Sequence, residues 1–136
     1  MDKYMTKDLA GFRLEQARNC LKAAAISSDA GLFKDAANRS YYCIFHSMRA
    51  VLALENFDSK KHSGIISAFR QRYIKTGKFD SRFSDVIREA FDIRNDSDYE
   101  DFYFISKAEV LTQMENAKEF LDVVDEYVTK QNDMGV

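Results

Sequence analysis

The stretch DAANRSYYCIFHSMRAVL, residues 35–52, decides the fold. Within it Ala37, Tyr41, Ile44, Met48, Val51 and Leu52 recur at helical spacing. An α-helix returns to the same face about every 3.6 residues, so these side chains form one apolar stripe. The stripe predicts a helix from about Leu32 to Glu55. No segment of the chain alternates cleanly with period two, and no internal repeat is visible, so strands and solenoids are not expected.

Working outward, Ala10, Ala17, Leu21 and Ala24 place a first helix over about Lys7 to Ala25, with Thr6 as its expected N-cap. The turn Ser27-Ser28-Asp29-Ala30-Gly31 separates the two. On the other side, Asn56 to His62 reads as a polar connection. Ile65, Ile66, Phe69 and Tyr73 then mark a third helix, about Ser63 to Lys75, ended by Thr76-Gly77, where glycine accepts a left-handed cap. Phe83, Val86, Ile87, Ala90 and Ile93 mark a fourth, about Ser81 to Arg94. An acidic linker, Asn95 to Asp101, leads into Phe102-Tyr103-Phe104. The last helix opens on Ser106 and Glu109, a capping box, and runs through Leu111, Met114, Ala117, Leu121, Val124 and Val128 to about Gln131. The chain has no proline to break these helices. The expected architecture is an all-α antiparallel bundle of four or five helices, one domain over 1–136 with its core at about 7–130.

Composition excludes several classes. Apolar content of 46% with 31% charged residues describes a globular chain and not a disordered one. No signal-peptide pattern is present, and no run approaches the ~20 apolar residues that span a bilayer. A cytoplasmic location without membrane contact is therefore expected, and Cys20 and Cys43, isolated on apolar helical patterns, read as buried free thiols. Charge is distributed unevenly. From Lys60 to Arg82 seven basic residues face one acid, Asp80, a local balance of +6; the whole chain carries −2, so the remainder carries −8.

Three stretches together resemble the HEPN domain (higher eukaryotes and prokaryotes nucleotide-binding). They are DAANRSYYCIFHSMRAVL, HSGIISAFRQRYIKTGKF at 62–79, and RNDSDY at 94–99. The resemblance covers about residues 7–130 and is to the prokaryotic branch with R-x-x-x-D-Y in place of R-x(4–6)-H. It implies a four- or five-helix fold that commonly forms a homodimer. It also implies a minimal nucleotidyltransferase partner in toxin-antitoxin or related modules. Many members of the family are metal-independent ribonucleases that use the arginine and histidine of R-x(4–6)-H.

Arg94 matches that arginine, but Tyr99, Glu100 and Asp101 stand where the histidine would fall. Metal-free cleavage of RNA needs a base and an acid near neutral pH; a tyrosine, with its pKa near ~10, is a poor base there. The catalytic candidates are therefore Arg94, Asp98, Tyr99 and His62, none with an assigned role. Arg94 with Lys60, Lys61 and His62 forms the candidate phosphate-binding set, at a helix start whose N–H groups favour anions. The plainer reading has Arg94 at a helix C-terminus paired with nearby acids, Tyr99 packed inward, and His62 as a helix cap. His46 lies off the main apolar stripe. Tyr41 reads as core, while Arg39 and Tyr42 face neighbouring sides that can line a cleft or a seam. The aromatics Phe69, Tyr73, Phe79 and Phe83 interleave with the basic segment but fall on core stripes. No metal site and no cofactor is expected.

The functional expectation is a nucleotide- or RNA-associated interaction module that acts with a minimal nucleotidyltransferase. One alternative is a metal-independent ribonuclease in which His62 or Asp98 replaces the missing base. The other is a non-catalytic scaffold or antitoxin-like protein. Tyr99 is also a conceivable acceptor for nucleotide transfer by the partner.

Overall fold

The computed structural model of the chain describes residues 3–134. Residues 1–2 and 135–136, the ends of the expected 1–136 span, lie outside the described residues. Five α-helices account for the structure: α1 (Lys3–Asp29), α2 (Phe33–Ala53), α3 (His62–Phe69), α4 (Arg82–Tyr99) and α5 (Lys107–Met134). No strand occurs among the described residues. The all-α antiparallel bundle expected from the periodicity is the fold.

The helix that decided the reading is also the centre of the molecule. Thirteen of the 21 residues of α2 are buried, so neighbours must cover most of its circumference. It packs against α1, α3, α4 and α5. Its Tyr41, Ile44, Met48, Val51 and Leu52 are fully buried. Cys20 and Cys43 are both free and buried, as expected of thiols on these stripes. Phe69, Phe79, Phe83 and Phe120 pack tilted or edge-on against one another at 5.3–6.4 Å and join α3, α4 and α5. The aromatics of the basic segment are thus core, and their faces are not offered to nucleobases.

Four boundaries differ from expectation, each for a physical reason. Helix α1 begins at Lys3, so Thr6 lies inside it and does not cap it. At its other end α1 runs past Ala25 to Asp29, closed by Gly31 at φ +79° with Gly31 N–H on Ser28 O and Leu32 N–H on Ser27 O. The third helix widens into a π-turn over Arg70–Ile74, where Lys75 N–H reaches Arg70 O at 2.9 Å. That wide turn keeps Phe69 and Tyr73 both in the core, their rings stacked at 5.5 Å. The largest departure is α4. Asn95-Asp-Ser-Asp98 are poor helix formers, yet the helix continues to Tyr99. An ion pair one turn apart, Arg94 Nε to Asp98 Oδ2 at 3.1 Å, spans the segment, and Asn95, Asp96 and Ser97 are half-buried. Tertiary contacts outweigh propensity here.

Two expected punctuation marks are realised. Ser106 Oγ accepts Glu109 N–H at 3.1 Å, and Glu109 Oε1 accepts from Ser106 Oγ at 3.0 Å, so the capping box opens α5. Gly77 adopts φ +80° after the π-turn. Gly77→Ala is expected to cost about 1 kcal/mol, because an L side chain is strained at that φ; urea denaturation of the variant against the wild type measures it.

Candidate functional site

The side chains singled out on α2, α3 and α4 meet on one side of the bundle. Tyr41 and Tyr42 are adjacent on α2 and therefore point to different faces: Tyr41 is buried, Tyr42 half-buried. His62 opens α3 but does not cap it; Lys61 holds the cap position, and no side chain caps the helix. Instead the imidazole turns back to α2, with Nδ1 2.7 Å from Tyr41 Oη and its ring stacked on Phe45 at 4.1 Å. The expected capping role is thus overturned, because the aromatic surface of α2 offers the ring a better seat.

Arg94 reaches the same place from α4. Its Nη2 donates to Tyr42 Oη at 3.1 Å, and its Nη1 donates to Asn95 Oδ1 at 3.2 Å. The guanidinium carbon stands 5.6 Å from both tyrosine rings, within cation–π range. The ion pair with Asp98 lacks hydrogen-bond geometry at Nε, so Asp98 neutralises the group more than it orients it. Arg94 sits inside α4 and not at its C-terminus, so the helix-dipole account of it is corrected. Tyr99 is corrected too: at 75% exposure it is not packed inward.

The electrostatics follow from burial and from the cations. Burial lowers the pKa of His62, and the charges of Arg94 and Arg49 lower it further. His62 is therefore neutral at pH 7. Burial pushes the Tyr41 phenol up despite Arg94's opposing charge, so Tyr41 keeps its proton. The arrangement that satisfies both groups has Tyr41 donating to Nδ1, which puts the imidazole proton on Nε2. Nε2 makes no hydrogen bond among the described residues. The site thus presents an Nε2–H donor beside a guanidinium held by its neighbours. Two donors of this kind suit a phosphate oxygen.

Lys60 and Lys61 lie on the exposed approach to α3. Ser59 Oγ accepts Lys61 N–H at 3.2 Å and shapes that approach. Gly64 matters to it as well, since a Cβ there would collide with Ser59 Oγ and stand 2.9 Å from Ser59 Cβ. Gly64→Ala is expected to push the 59–61 segment off α3, costing roughly 1–3 kcal/mol and shifting the His62 ring signals in NMR spectra. Arg39 stays out of the cluster, exposed and near Cys20. Among the described residues no group of three or more metal-ligating side chains converges.

Sequence reasoning missed two contributors. Phe45 provides the platform under His62, and its place one turn after Tyr41 is the signal that was available. His46, one turn after Tyr42 and packed at 6.0 Å from its ring, is half-buried with Nδ1 unpartnered. Burial, then the charges of Arg49, Arg13 and His62, lower its pKa to about 4. Between that value and about 6.5 the unfolded chain binds a proton the folded chain does not, so stability falls as pH drops through this window. From pH 7 to pH 5 the wild type is expected to lose about 2 kcal/mol on this account, and His46→Gln to lose much less. Urea unfolding at the two pH values measures both.

A family model of the HEPN domain matches residues 10–127. The chain belongs to the HEPN family. Relatives of this HEPN chain include "Putative toxin MJ0142" of Methanocaldococcus jannaschii, 29% identical over 88% of this chain and 81% of its own length. A "UPF0332 protein" of Thermotoga maritima is 28% identical over 83% of this chain and 86% of its own. "Putative toxin MJ0605" of Methanocaldococcus jannaschii is 35% identical over 63% of this chain and 64% of its own. No helix among the described residues is long and apolar enough to cross a membrane.

Proposed function

We propose that this HEPN domain is a toxin-like module that binds a phosphate of RNA or of a nucleotide at Arg94 and His62. The carrying observation is their convergence: 32 positions apart, they meet around Tyr41 and Tyr42. Toxin-named relatives support the setting. In this reading the protein is cytoplasmic, works as a homodimer or with a minimal nucleotidyltransferase, and forms one domain over its length. Lys60 and Lys61 add long-range attraction for the anion, and Tyr42 and Asn95 hold Arg94 in place.

A second reading, metal-independent ribonuclease, draws on one observation: His62 is a neutral imidazole beside a cation, the state a general base requires. Against it stands the Tyr41 hydrogen bond: with the buried Tyr41 hydroxyl as donor to Nδ1, Nε2 carries the proton and donates rather than accepts. Asp98 is engaged with Arg94. Binding without cleavage is therefore the conclusion.

The test is RNA incubated in EDTA with wild type, Arg94→Ala and His62→Gln, folding being checked by circular dichroism. Intact RNA retained by the wild type and released by Arg94→Ala is the expected result. Cleavage by the wild type that both variants lose would establish the ribonuclease reading instead.

A further inference from the structure

The segment that delivers His62 to the site has no regular structure of its own. Residues 57–59 belong to neither helix nor turn, and among the described residues no backbone N–H of 58–60 reaches a backbone carbonyl. Its position therefore rests on side chains, and these centre on one carboxylate. Asp58 Oδ2 accepts Arg13 Nη2 at 3.2 Å and Arg49 Nη2 at 3.0 Å. Asp58 Oδ1 accepts Arg49 Nε at 3.4 Å and the N–H of its neighbour Ser59 at 2.8 Å. A carboxylate has about four acceptor positions, and here all are taken.

Both arginines are anchored in the bundle. Arg13, on α1, has a side chain only 7% exposed and also donates Nη1 to Arg49 O at 3.1 Å. Arg49, on α2, presents two donors side by side, the fork that fixes a carboxylate in direction as well as distance.

From Asp58 two routes lead to the imidazole. The first follows the chain: Ser59 N–H on the carboxylate, Lys61 N–H on Ser59 Oγ at 3.2 Å, and Ser59 seated against Gly64 in the first turn of α3. His62 lies between Lys61 and Gly64, so its stretch is set at both ends. The second passes through side chains. The Arg49 guanidinium carbon stands 5.8 Å from the centroid of Phe45, the ring on which His62 stacks at 4.1 Å. We propose that Asp58 is a positioning residue of the phosphate site, which fixes where the His62 imidazole stands relative to Arg94. A buried guanidinium paired in this way adds little stability over apolar packing, but it imposes directions that apolar contacts do not. This rests on the phosphate-binding reading and adds to it the residue that holds His62 ready.

Charge and position predict opposite signs here. As a negative charge four residues from His62, Asp58 opposes an anion, and neutralising it would tighten binding. As a positioning residue it aids the anion, and neutralising it weakens binding.

The experiment uses the isosteric Asp58→Asn, with Arg49→Lys, which keeps the charge and loses the fork, as a second variant. Glu119→Gln, which breaks the Arg82–Glu119 pair away from the site, is the control. NMR of the ligand-free protein reads the ring-current shift that Phe45 imposes on the His62 protons. Fluorescence anisotropy in EDTA reads affinity for a labelled uridine oligonucleotide. In Asp58→Asn and Arg49→Lys the ring-current shift is expected to shrink and affinity to fall by roughly tenfold, the scale on which lost preorganisation acts. Glu119→Gln is expected to change neither. Tighter or unchanged binding by a folded Asp58→Asn overturns the positioning role and leaves the phosphate site standing, as does an undiminished ring-current shift in both variants. Should Asp58→Asn fail to fold, Arg49→Lys gives the same two readings. A wild type that binds no oligonucleotide overturns the phosphate site and the positioning role with it, a failure seen before any variant is made.

Discussion

Arg94→Ala is expected to abolish measurable RNA binding while leaving the helical spectrum intact. In the folded chain the guanidinium is held by Tyr42 Oη and Asn95 Oδ1, is paired with Asp98 and lies over two tyrosine rings. Removing one partner of a hydrogen-bonded charge pair costs about 2–5 kcal/mol, a drop of roughly 30-fold or more in affinity. The substitution also leaves the Asp98 carboxylate without its ion-pair partner and removes the donor to the Tyr42 hydroxyl. A stability loss of about 1–3 kcal/mol accompanies the binding defect. Arg94→Lys is not expected to rescue, since a single ammonium cannot address three partners in the directions a planar guanidinium does. Fluorescence anisotropy with a labelled oligonucleotide gives the affinity, and urea denaturation of the same samples gives the stability. Wild-type affinity retained in Arg94→Ala would remove the arginine from the site.

Phe120→Ala is expected to be the most damaging single change to the fold, at about 3–5 kcal/mol. The ring is fully buried, and it touches Phe69, Phe79 and Phe83, which belong to α3, the loop before α4, and α4. Its loss opens a cavity where those three elements meet α5, and the rigid rings around it cannot collapse to fill the gap. For a domain whose whole stability is about 5–15 kcal/mol, this brings unfolding within reach of mild denaturant. By contrast Leu111→Ala, on the same helix at 46% exposure, is expected to stay within about 0.5 kcal/mol. The midpoints of the two variants in urea make the comparison.

What was legible in the sequence was whatever local periodicity or local chemistry determines. The α2 stripe, the Ser106–Glu109 capping box and the Gly77 turn are each written within a few residues, and each is where it was expected. The extension of α4 was not legible, because Asn95 to Tyr99 reads as a linker on propensity alone. The helix persists there through the Arg94–Asp98 ion pair and the partial burial of Asn95, Asp96 and Ser97 against the rest of the bundle, which propensity does not show. The same holds for Arg13, a charged residue on an otherwise apolar face of α1. It is buried because Arg49 O and the Asp58 carboxylate receive its guanidinium, at 3.1 and 3.2 Å. Burial tends to raise the Asp58 carboxyl, but Arg49, Ser59 N–H and Arg13 together hold it below the usual carboxylate range. For the site, residue type pointed to Arg94 and His62 separately. Their meeting, and the role of Phe45 as the platform between α2 and α3, depend on packing that no short window contains.

Phosphate binding at this site turns on the Nε2–H that His62 offers to a phosphate held by Arg94. The most direct measurement is NMR of the histidine ring nitrogens in the ¹⁵N-labelled protein at pH 7, titrated with a short uridine oligonucleotide. A neutral His62 with its proton on Nε2 is expected, with an Nε2 signal that moves as the oligonucleotide binds wild type but not when it is added to Arg94→Ala. An Nε2 signal unmoved at saturation, or a ring protonated on Nδ1 with Nε2 as the free base, would contradict it.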